Sequence, residues 1–274
     1  MESIPTKIVK RDGRVVDFDK RRIENAIRKA MVSVNRYDPD TLSKVMDYVI
    51  CAINSKYSVE VIPRVEDVQD IVEFALVKYN LYEVAKAYIL YRKDRERIRK
   101  DKMIILGKDY IDEVDKAFSL NAIRLMASRY LLKDQKGKPV EGPKQVFQRI
   151  AVLVAIPDIL YDPEVFDKEG NQSKRKVEDF DPVSWAGKTS LGGLKINEHH
   201  LRRMKLLYDE LNLQGKMRIN WRELWGQISK GSFDKYGEKA KAYYNLMVEK
   251  KFMPNSPTLF NAGQSSLNFP PVSS

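Results

Sequence analysis

The spacing of apolar residues is the feature that most constrains the fold of this 274-residue chain. Between Ile23 and Ala30 apolar side chains recur every three or four positions, which places them on one face of an α-helix. Similar stripes predict helices from about Pro39 to Ile50, after Pro63 to Leu76, from Tyr82 into a basic tail ending at Lys102, from Leu120 to Tyr130, from Pro143 to Ala155, from Asn197 to Leu211, from Trp221 to Ile228 and from Tyr236 to Lys251. The pattern therefore predicts a mainly α-helical protein.

A short β-hairpin is predicted before the first helix. Thr6–Lys10 and Val15–Phe18 have strand composition, and they flank Asp12-Gly13, a dipeptide that favours a tight turn because glycine accepts positive φ. Asp19 follows as the expected N-cap of the first helix. One hairpin packed on four helices makes a small α+β module.

Length and composition allow one to three domains with a real core, since 43% of the residues are hydrophobic. No apolar run reaches the roughly 18 residues of a membrane span, so no membrane association is predicted. Met1 is followed by Glu2 and Pro5 rather than by a basic and then an apolar stretch, so no signal peptide is predicted. The net charge of +11 favours anionic partners but does not by itself separate nucleotides from nucleic acid.

Cysteine and histidine usage predicts no metal site. A single cysteine, Cys51, excludes an internal disulfide and a cysteine-cluster site, and it fits a reducing cytoplasm. Because Cys51 adjoins the apolar stripe of the second helix, we expect it to be buried. His199 and His200 are adjacent at a predicted helix start and cannot both face one metal ion, so a surface or helix-terminal role is expected.

From Met103 onward the chain is predicted to be helical with irregular joints. Residues 134–139 form a turn that closes a short hairpin, and the polar residues 167–193 predict a long exposed loop. Trp221 and Trp225 are four positions apart, which is typical of packing on one helical face. Residues 264–274 show no periodicity and are predicted to be coil.

Cations gather at the predicted hairpin and at the helix that follows it. Lys10 and Arg11 precede the turn, Arg14 follows it, and Arg22 lies on the first helix. A triphosphate needs several donors that converge on its oxygens, and each charge-assisted bond contributes about 1.5–3 kcal/mol. A nucleotide site at this corner is one interpretation, and a solvated basic hairpin is the other.

The order of motifs favours the nucleotide site. Val9-Lys10-Arg11-Asp12-Gly13, then Phe18-Asp19, Arg22-Ile23, Val65-Glu66-Asp67-Val68-Gln69 and Val84-Ala85-Lys86-Ala87-Tyr88 closely resemble the ATP-cone, the regulatory nucleotide-binding module of ribonucleotide reductases and of their transcriptional repressor. The resemblance covers about residues 5–100. It implies that Lys10 and Arg11 hold phosphates, that Arg22 and Lys93 support them, and that Gln69 lies near the nucleotide, which would be ATP or dATP.

A second resemblance covers the rest of the chain. Arg129-Tyr130-Leu131-Leu132-Lys133-Asp134 resembles the helical N-terminal domain of the reductase large chain, and Pro254-Asn255-Ser256-Pro257-Thr258-Leu259 resembles the segment leading into its catalytic barrel, most closely in the adenosylcobalamin-dependent class II enzymes. By this resemblance Ser256 is the best candidate for a substrate contact, supported by Thr258 and Asn261. A hydroxyl fixed before proline is suited to a substrate phosphate.

The two resemblances together imply three segments. Residues 1–102 would be the ATP-cone, 103–251 the helical domain, and 252–274 the truncated start of the barrel. The family's reaction needs three redox-active thiols, which Cys51 alone cannot supply, so no catalytic residue is assigned and isolated activity is not expected. Adenosylcobalamin would act only in the complete enzyme. The implied partner, in the cytoplasm, is the remaining catalytic part of the reductase or a second copy of this chain.

Other interpretations remain open at this point. The chain could be a non-catalytic nucleotide-sensing interaction protein, although the zinc-ribbon cysteines of the family's repressor are absent and nucleic-acid binding is not favoured. A split, interrupted or truncated gene would also explain the coil predicted after Gly263. Class I remains an alternative to class II, and the sequence does not separate diphosphate from triphosphate substrates.

Overall fold

The computed structural model describes residues 5–263 and divides the chain into two compact units, one ending at Lys100 and one beginning at Asp101. Most of the described chain is helical, with one short hairpin near the N-terminus, so the predicted fold class is confirmed. Within the described range, no helix is both long and apolar enough to span a membrane. Each unit has its own hydrophobic core and is described by itself below.

The hairpin of the first unit forms where Asp12-Gly13 predicts it. Strand β1 (Lys7–Val9) pairs antiparallel with β2 (Val15–Asp17). Gly13 has a φ of +80°, and its N–H donates to the carbonyl of Lys10 at 3.0 Å. Glycine is favoured here because a side chain at positive φ would be strained.

Four helices complete the first unit: α1 (Lys20–Ser33), α2 (Pro39–Lys56), α3 (Val65–Lys78) and α4 (Tyr82–Leu106), the last of which runs on past Lys100. The Asp19 side chain accepts from the backbone N–H of Arg21, which confirms the predicted N-cap of α1. The apolar faces meet in a core formed by Ile23, Ile27, Ala30, Met31, Leu42, Val45, Val49, Ile53, Val68, Val72, Ala75, Leu76, Val84, Ala85 and Tyr88.

The expectation that Cys51 is buried is wrong. Its side chain is exposed, while Val45, Val49 and Ile53 form the buried face of α2. Position 51 lies two residues from both Val49 and Ile53, which is about 200° around a helix, so Cys51 points away from the core.

The second unit is built around one buried helix. Its elements are α5 (Glu113–Ala117), α6 (Leu120–Arg129), α7 (Pro143–Leu160), α8 (Pro182–Trp185), β3 (Ser190–Leu191), β4 (Leu194–Lys195), α9 (Glu198–Leu213), α10 (Trp221–Ser229), α11 (Asp234–Val248) and α12 (Ser256–Asn261). Helix α7 packs against α9, α11 and α12. Trp221 and Trp225 are buried in the same core, which confirms their predicted packing role.

The joints of the second unit follow the predictions only in part. Lys133 and Pro139 form an antiparallel bridge, as the predicted turn between them requires. The predicted loop at 167–193 contains α8 and β3, and Leu191 is buried, so this segment is not uniformly exposed. The coil predicted for 264–274 lies outside the described residues.

Candidate nucleotide-binding site

A cavity of about 420 Å³ lies between the hairpin turn and the start of α3. The backbone brings these elements together, because Val9 donates to the carbonyl of Pro63 at 2.9 Å and forms a parallel bridge with Arg64. The residues that line the cavity are Val9, Lys10, Arg11, Gly13, Arg64 and Glu66. Two of the five residues expected at the nucleotide, Lys10 and Arg11, therefore lie in one cavity wall.

Arg11 connects the hairpin to α3. Its Nε donates to the carboxylate of Glu66, and its Nη2 donates to Oε1 of Gln69 at 3.0 Å. The fold thus brings Arg11 into contact with Gln69, although 58 positions separate them in the sequence. Both α3 residues lie in the first two turns of that helix, so one helix face holds the guanidinium in a defined position.

Two further arginines lie close to this corner, and the sequence motifs assign neither of them to the nucleotide. Arg64 lines the cavity, and its guanidinium has no hydrogen-bond or ion-pair partner within residues 5–263. Burial and the nearby Arg11 guanidinium lower the pKa of Arg99 on α4. Arg99 belongs to a basic run on α4, and such a run is typical of a solvent-exposed helix as well as of a surface that binds polyanions. The cavity therefore concentrates positive charge around a single carboxylate, which favours a polyanion.

The other two expected nucleotide residues are not brought to the cavity wall. Arg22 is exposed on α1, and its Nε lies 4.0 Å from the carboxylate of Asp19. Lys93 is exposed on α4 and does not line the cavity. Its neighbour Arg92 turns toward α3 instead, where it pairs with Asp70 at 2.8 Å and with a second carboxylate.

The candidate substrate contact, Ser256, is the first residue of α12 and is exposed. Its Oγ lies 2.9 Å from the phenol oxygen of Tyr130, so the hydroxyl has a defined direction. Asn255 caps α12 by accepting from the backbone N–H of Thr258 at 3.2 Å and from its hydroxyl at 2.7 Å. Thr258 is therefore engaged in holding the helix start.

A buried arginine holds the other end of α12. Arg149 on α7 is 4% exposed and pairs with Glu141. Its Nη2 donates to the carbonyls of Leu259 and Tyr130, each at 3.1 Å, and its Nη1 donates to the carbonyl of Ala262. One guanidinium thus satisfies carbonyls at the end of α12, which a helix leaves without partners of its own.

His200 and Gly263 complete this attachment. The Nδ1 of His200 accepts from the backbone N–H of Asn197 at 3.0 Å, and its Nε2 lies 2.8 Å from the carbonyl of Arg149. Burial lowers the pKa of His200 to about 4. The amide of Asn197 donates to the carbonyl of Gly263 at 3.1 Å. His200 therefore has the helix-terminal role expected of it, since its ring closes the cap of α9.

Possible metal ligands do not cluster in the part of the chain that the structure describes. Within residues 5–263, no group of three or more histidine, cysteine, aspartate or glutamate side chains is placed to hold a metal ion. Both ring nitrogens of His200 are already in hydrogen bonds.

Two family profiles match this sequence, one in each of the two units. The sequence profile of the ribonucleotide reductase all-alpha domain matches residues 116–266, more than half of the chain. The chain belongs to the ribonucleotide reductase family. The profile of the ATP cone domain matches residues 6–97, which include the hairpin and the cavity beside it. The resemblances drawn from the motifs are thereby confirmed.

Several curated reductases are similar to the chain. A vitamin B12-dependent ribonucleoside-diphosphate reductase from Thermoplasma acidophilum is 35% identical over 263 residues, which is 94% of this chain and 31% of that protein. One from Mycobacterium tuberculosis is 36% identical over 161 residues, 59% of this chain and 22% of that protein. An anaerobic ribonucleoside-triphosphate reductase from Haemophilus influenzae is 37% identical over 93 residues, 34% of this chain and 13% of that protein. The chain spans less than a third of the length of each of these reductases.

Proposed function

We propose that this chain provides the nucleotide-sensing unit and the N-terminal helical domain of a ribonucleoside-diphosphate reductase, with ATP or dATP as the allosteric effector. The observation that carries the proposal is the position of Arg11, which lies in the hairpin cavity and also contacts Gln69 on α3. The match to the ATP cone domain over residues 6–97 supports the same conclusion. A nucleotide that biases two states of the enzyme would couple to activity by about 1–3 kcal/mol.

Each expected residue has a defined part in this proposal. Lys10 and Arg11 hold the phosphates, and Gln69 fixes Arg11 from α3. Arg22 and Lys93 contribute positive charge from outside the cavity wall, because both are exposed and do not line it. Charge-assisted bonds to phosphate would make Lys10 and Arg11 the largest contributors to affinity.

The boundaries of the proposed domains follow the motifs. Residues 1–102 form the ATP-cone, residues 103–251 the helical domain, and residues 252–274 the start of the catalytic barrel. Ser256 would contact the substrate phosphate, and Thr258 would support it through Asn255. The exposure of Ser256 and the hydrogen bond that orients its hydroxyl support this assignment.

Reduction itself belongs, in this proposal, to the complete reductase. Cys51 is exposed on α2 of the nucleotide-binding unit and cannot supply three thiols to one barrel. Adenosylcobalamin would supply the radical when bound in the complete enzyme. The His200 imidazole does not fit as a cobalt ligand, because both of its nitrogens are bonded. We place the working enzyme in the cytoplasm, with the remaining catalytic part or a second copy of the chain as partner.

The proposal is tested by isothermal titration of the 274-residue chain with ATP and dATP. The double variant Lys10→Ala/Arg11→Ala should weaken binding by about 100-fold or more, because two charge-assisted contacts are lost. Lys136→Ala/Lys138→Ala is the matched control, since it removes two exposed lysines that flank Gly137 in the turn between Lys133 and Pro139. No binding of either nucleotide by the unchanged chain would contradict the proposed function.

A further inference from the structure

The ion pair between Arg11 and Glu66 closes one side of the hairpin cavity. Glu66 is the second residue of α3 and accepts from Nε of Arg11, while Gln69 accepts from Nη2 of the same guanidinium. The Arg11 and Glu66 side chains are 27% and 41% exposed, so the ion pair is partly accessible to solvent. Groups of α3 therefore already occupy two of the three guanidinium nitrogens.

The carboxylate of Glu66 also forms part of the cavity wall, together with Lys10 and Arg64. A phosphate chain held by Lys10 and Arg11 would lie close to this carboxylate, and like charges a few ångströms apart repel each other. A guanidinium presents its five donors in a fixed planar fork. Glu66 and Gln69 use two of these donors, so phosphate oxygens that bind the same guanidinium would compete with the Glu66 carboxylate for its positive charge.

Arg64 would favour phosphate binding, whereas Glu66 would oppose it. Its backbone is held in place, because Val9 bridges to it and its own N–H donates to the carboxylate of Asp67 at 2.9 Å. The residue lines the cavity, and its guanidinium has no hydrogen-bond or ion-pair partner within residues 5–263. A fixed backbone that carries an unpartnered guanidinium is suited to bind an anion in that cavity.

We propose that Glu66 is an internal competitor of the nucleotide phosphates for Arg11, and that Arg64 is a phosphate contact additional to the hairpin motif. The inference rests on the proposed nucleotide function. Binding exchanges one anionic partner of Arg11 for another, so the net gain from Arg11 is smaller than that from a cation without a partner. Glu66 thereby sets the effector concentration at which the site fills.

The sign of one substitution separates this inference from a purely orienting role. If Glu66 only positioned Arg11 for phosphate, removing the carboxylate charge would weaken nucleotide binding. If Glu66 competes, Glu66→Gln should tighten binding of ATP and dATP by about 2- to 5-fold, the range expected from losing a partly exposed ion pair. Arg64→Ala should weaken binding by about 10-fold, because a charge-assisted contact is lost.

The Arg36–Glu83 pair provides matched controls on the same unit. Its atoms are 3.3 Å apart, both side chains are exposed, and neither residue lines the cavity. Glu83→Gln makes the same change of charge as Glu66→Gln, and Arg36→Ala matches Arg64→Ala. Both controls should change the dissociation constant by less than about 2-fold, because exposed charges at a distance are screened. Thermal unfolding followed by circular dichroism confirms that each variant is folded.

The outcomes separate the inference from the function on which it rests. Failure of the unchanged chain to bind ATP or dATP would overturn both. Binding by the unchanged chain with equal or weaker binding by Glu66→Gln would overturn the competitor role and leave the proposed function standing. An Arg64→Ala variant that binds as tightly as Arg36→Ala would overturn the phosphate contact. Tighter binding by Glu66→Gln alone among the glutamate variants would support the inference.

Discussion

Two arginines, each paired with a glutamate, show how differently the two units use the same interaction. The Arg11–Glu66 side chains in the first unit are 27% and 41% exposed, whereas those of Arg149–Glu141 in the second are 4% and 7% exposed. An exposed pair contributes about 0–1 kcal/mol, so its partners exchange for a ligand at little cost. A buried pair cannot exchange, because removing either partner leaves an uncompensated charge.

The difference in exposure corresponds to a difference in what each arginine contacts. In the first unit Arg11 lines a cavity and its side chain is partly open to solvent. In the second unit the Arg149 guanidinium is used entirely inside the protein, on Glu141 and on the carbonyls of Tyr130, Leu259 and Ala262. The first unit therefore has an accessible arginine, to which we assign phosphate binding, and the second has an arginine that holds a backbone segment in place.

The largest expected effect comes from breaking the buried pair. Arg149→Met should destabilise the second unit by about 3–5 kcal/mol, because Glu141 would remain buried without its partner. Urea unfolding, with hydrogen exchange of α7 as a local probe, measures the loss. The control is Arg202→Met, which breaks the exposed pair with Glu198 and should cost less than about 1 kcal/mol. Equal losses in the two variants would contradict the proposed contrast between buried and exposed pairs.

The second effect is a pH dependence that comes from the two histidines of the second unit. Burial lowers the pKa of His200 to about 4, whereas an unfolded histidine titrates near 6.5. Below pH 6.5 the unfolded state binds a proton that the folded state does not, so stability falls as the pH drops from 6.5 to 4, by up to about 3 kcal/mol. Burial also lowers the pKa of His199, which adds to the loss in the same direction.

Unfolding free energies measured between pH 7 and pH 4 test this dependence. His200→Gln should remove most of the slope, and His199→Gln should remove a smaller share because its ring is less buried. The prediction fails if the His200→Gln curve is as steep as that of the unchanged protein. Both histidines lie in the second unit, so the free energy of opening obtained from amide exchange in α2 should not fall between pH 6.5 and about pH 5, above the range in which carboxylates titrate.

The third effect should appear only in the first unit. At a concentration 100 times its dissociation constant, ATP stabilises the state that binds it by about 2.7 kcal/mol. Amide exchange in α2 should slow accordingly, while exchange in α7 should remain unchanged. Exchange that slows to the same extent in both helices would show that the two units do not respond separately to the nucleotide.

The smallest effect separates local strain from tight packing at two glycines. Gly137 and Gly263 have φ values of +77° and +74°, so alanine strains the backbone at both positions by about 1 kcal/mol. A Cβ at Gly137 meets open space, whereas one at Gly263 would lie 2.7 Å from Cβ of Arg149. Gly263→Ala should therefore cost about 1–2 kcal/mol more than Gly137→Ala in urea unfolding. Equal costs would mean that α12 is not held tightly against α7.

Much of the fold could be predicted from local patterns. Asp12-Gly13 marks the hairpin turn, Asp19 caps α1, and Pro143 begins α7, each at the position the sequence indicates. These features depend on the residue itself and on its immediate neighbours, so they can be read along the chain. The prediction that Cys51 is buried is wrong, because adjacency to an apolar stripe does not specify which way a residue faces.

The candidate site was predictable only in its hairpin part. Lys10 and Arg11 were identified from a short motif and a resemblance, and their roles stay predictions that the titrations test. Arg64 and Glu66 were not identified, because their importance arises from the bridge between Val9 and Arg64. That bridge joins positions far apart in the sequence, and no local sequence pattern in either segment predicts it.

The sequence by itself determined where helices and turns form, where positive charge collects, and to which family the chain belongs. These properties follow from residue type and spacing, which act over a few positions along the chain. Only the tertiary structure decided which charged side chains are accessible to solvent and which are buried. It left Arg11 at a cavity wall beside Glu66 and buried Arg149 beside Glu141. Burial depends on what the rest of the chain packs against each side chain, so the same arginine–glutamate pair is open to exchange with a ligand in one surrounding and structural in the other.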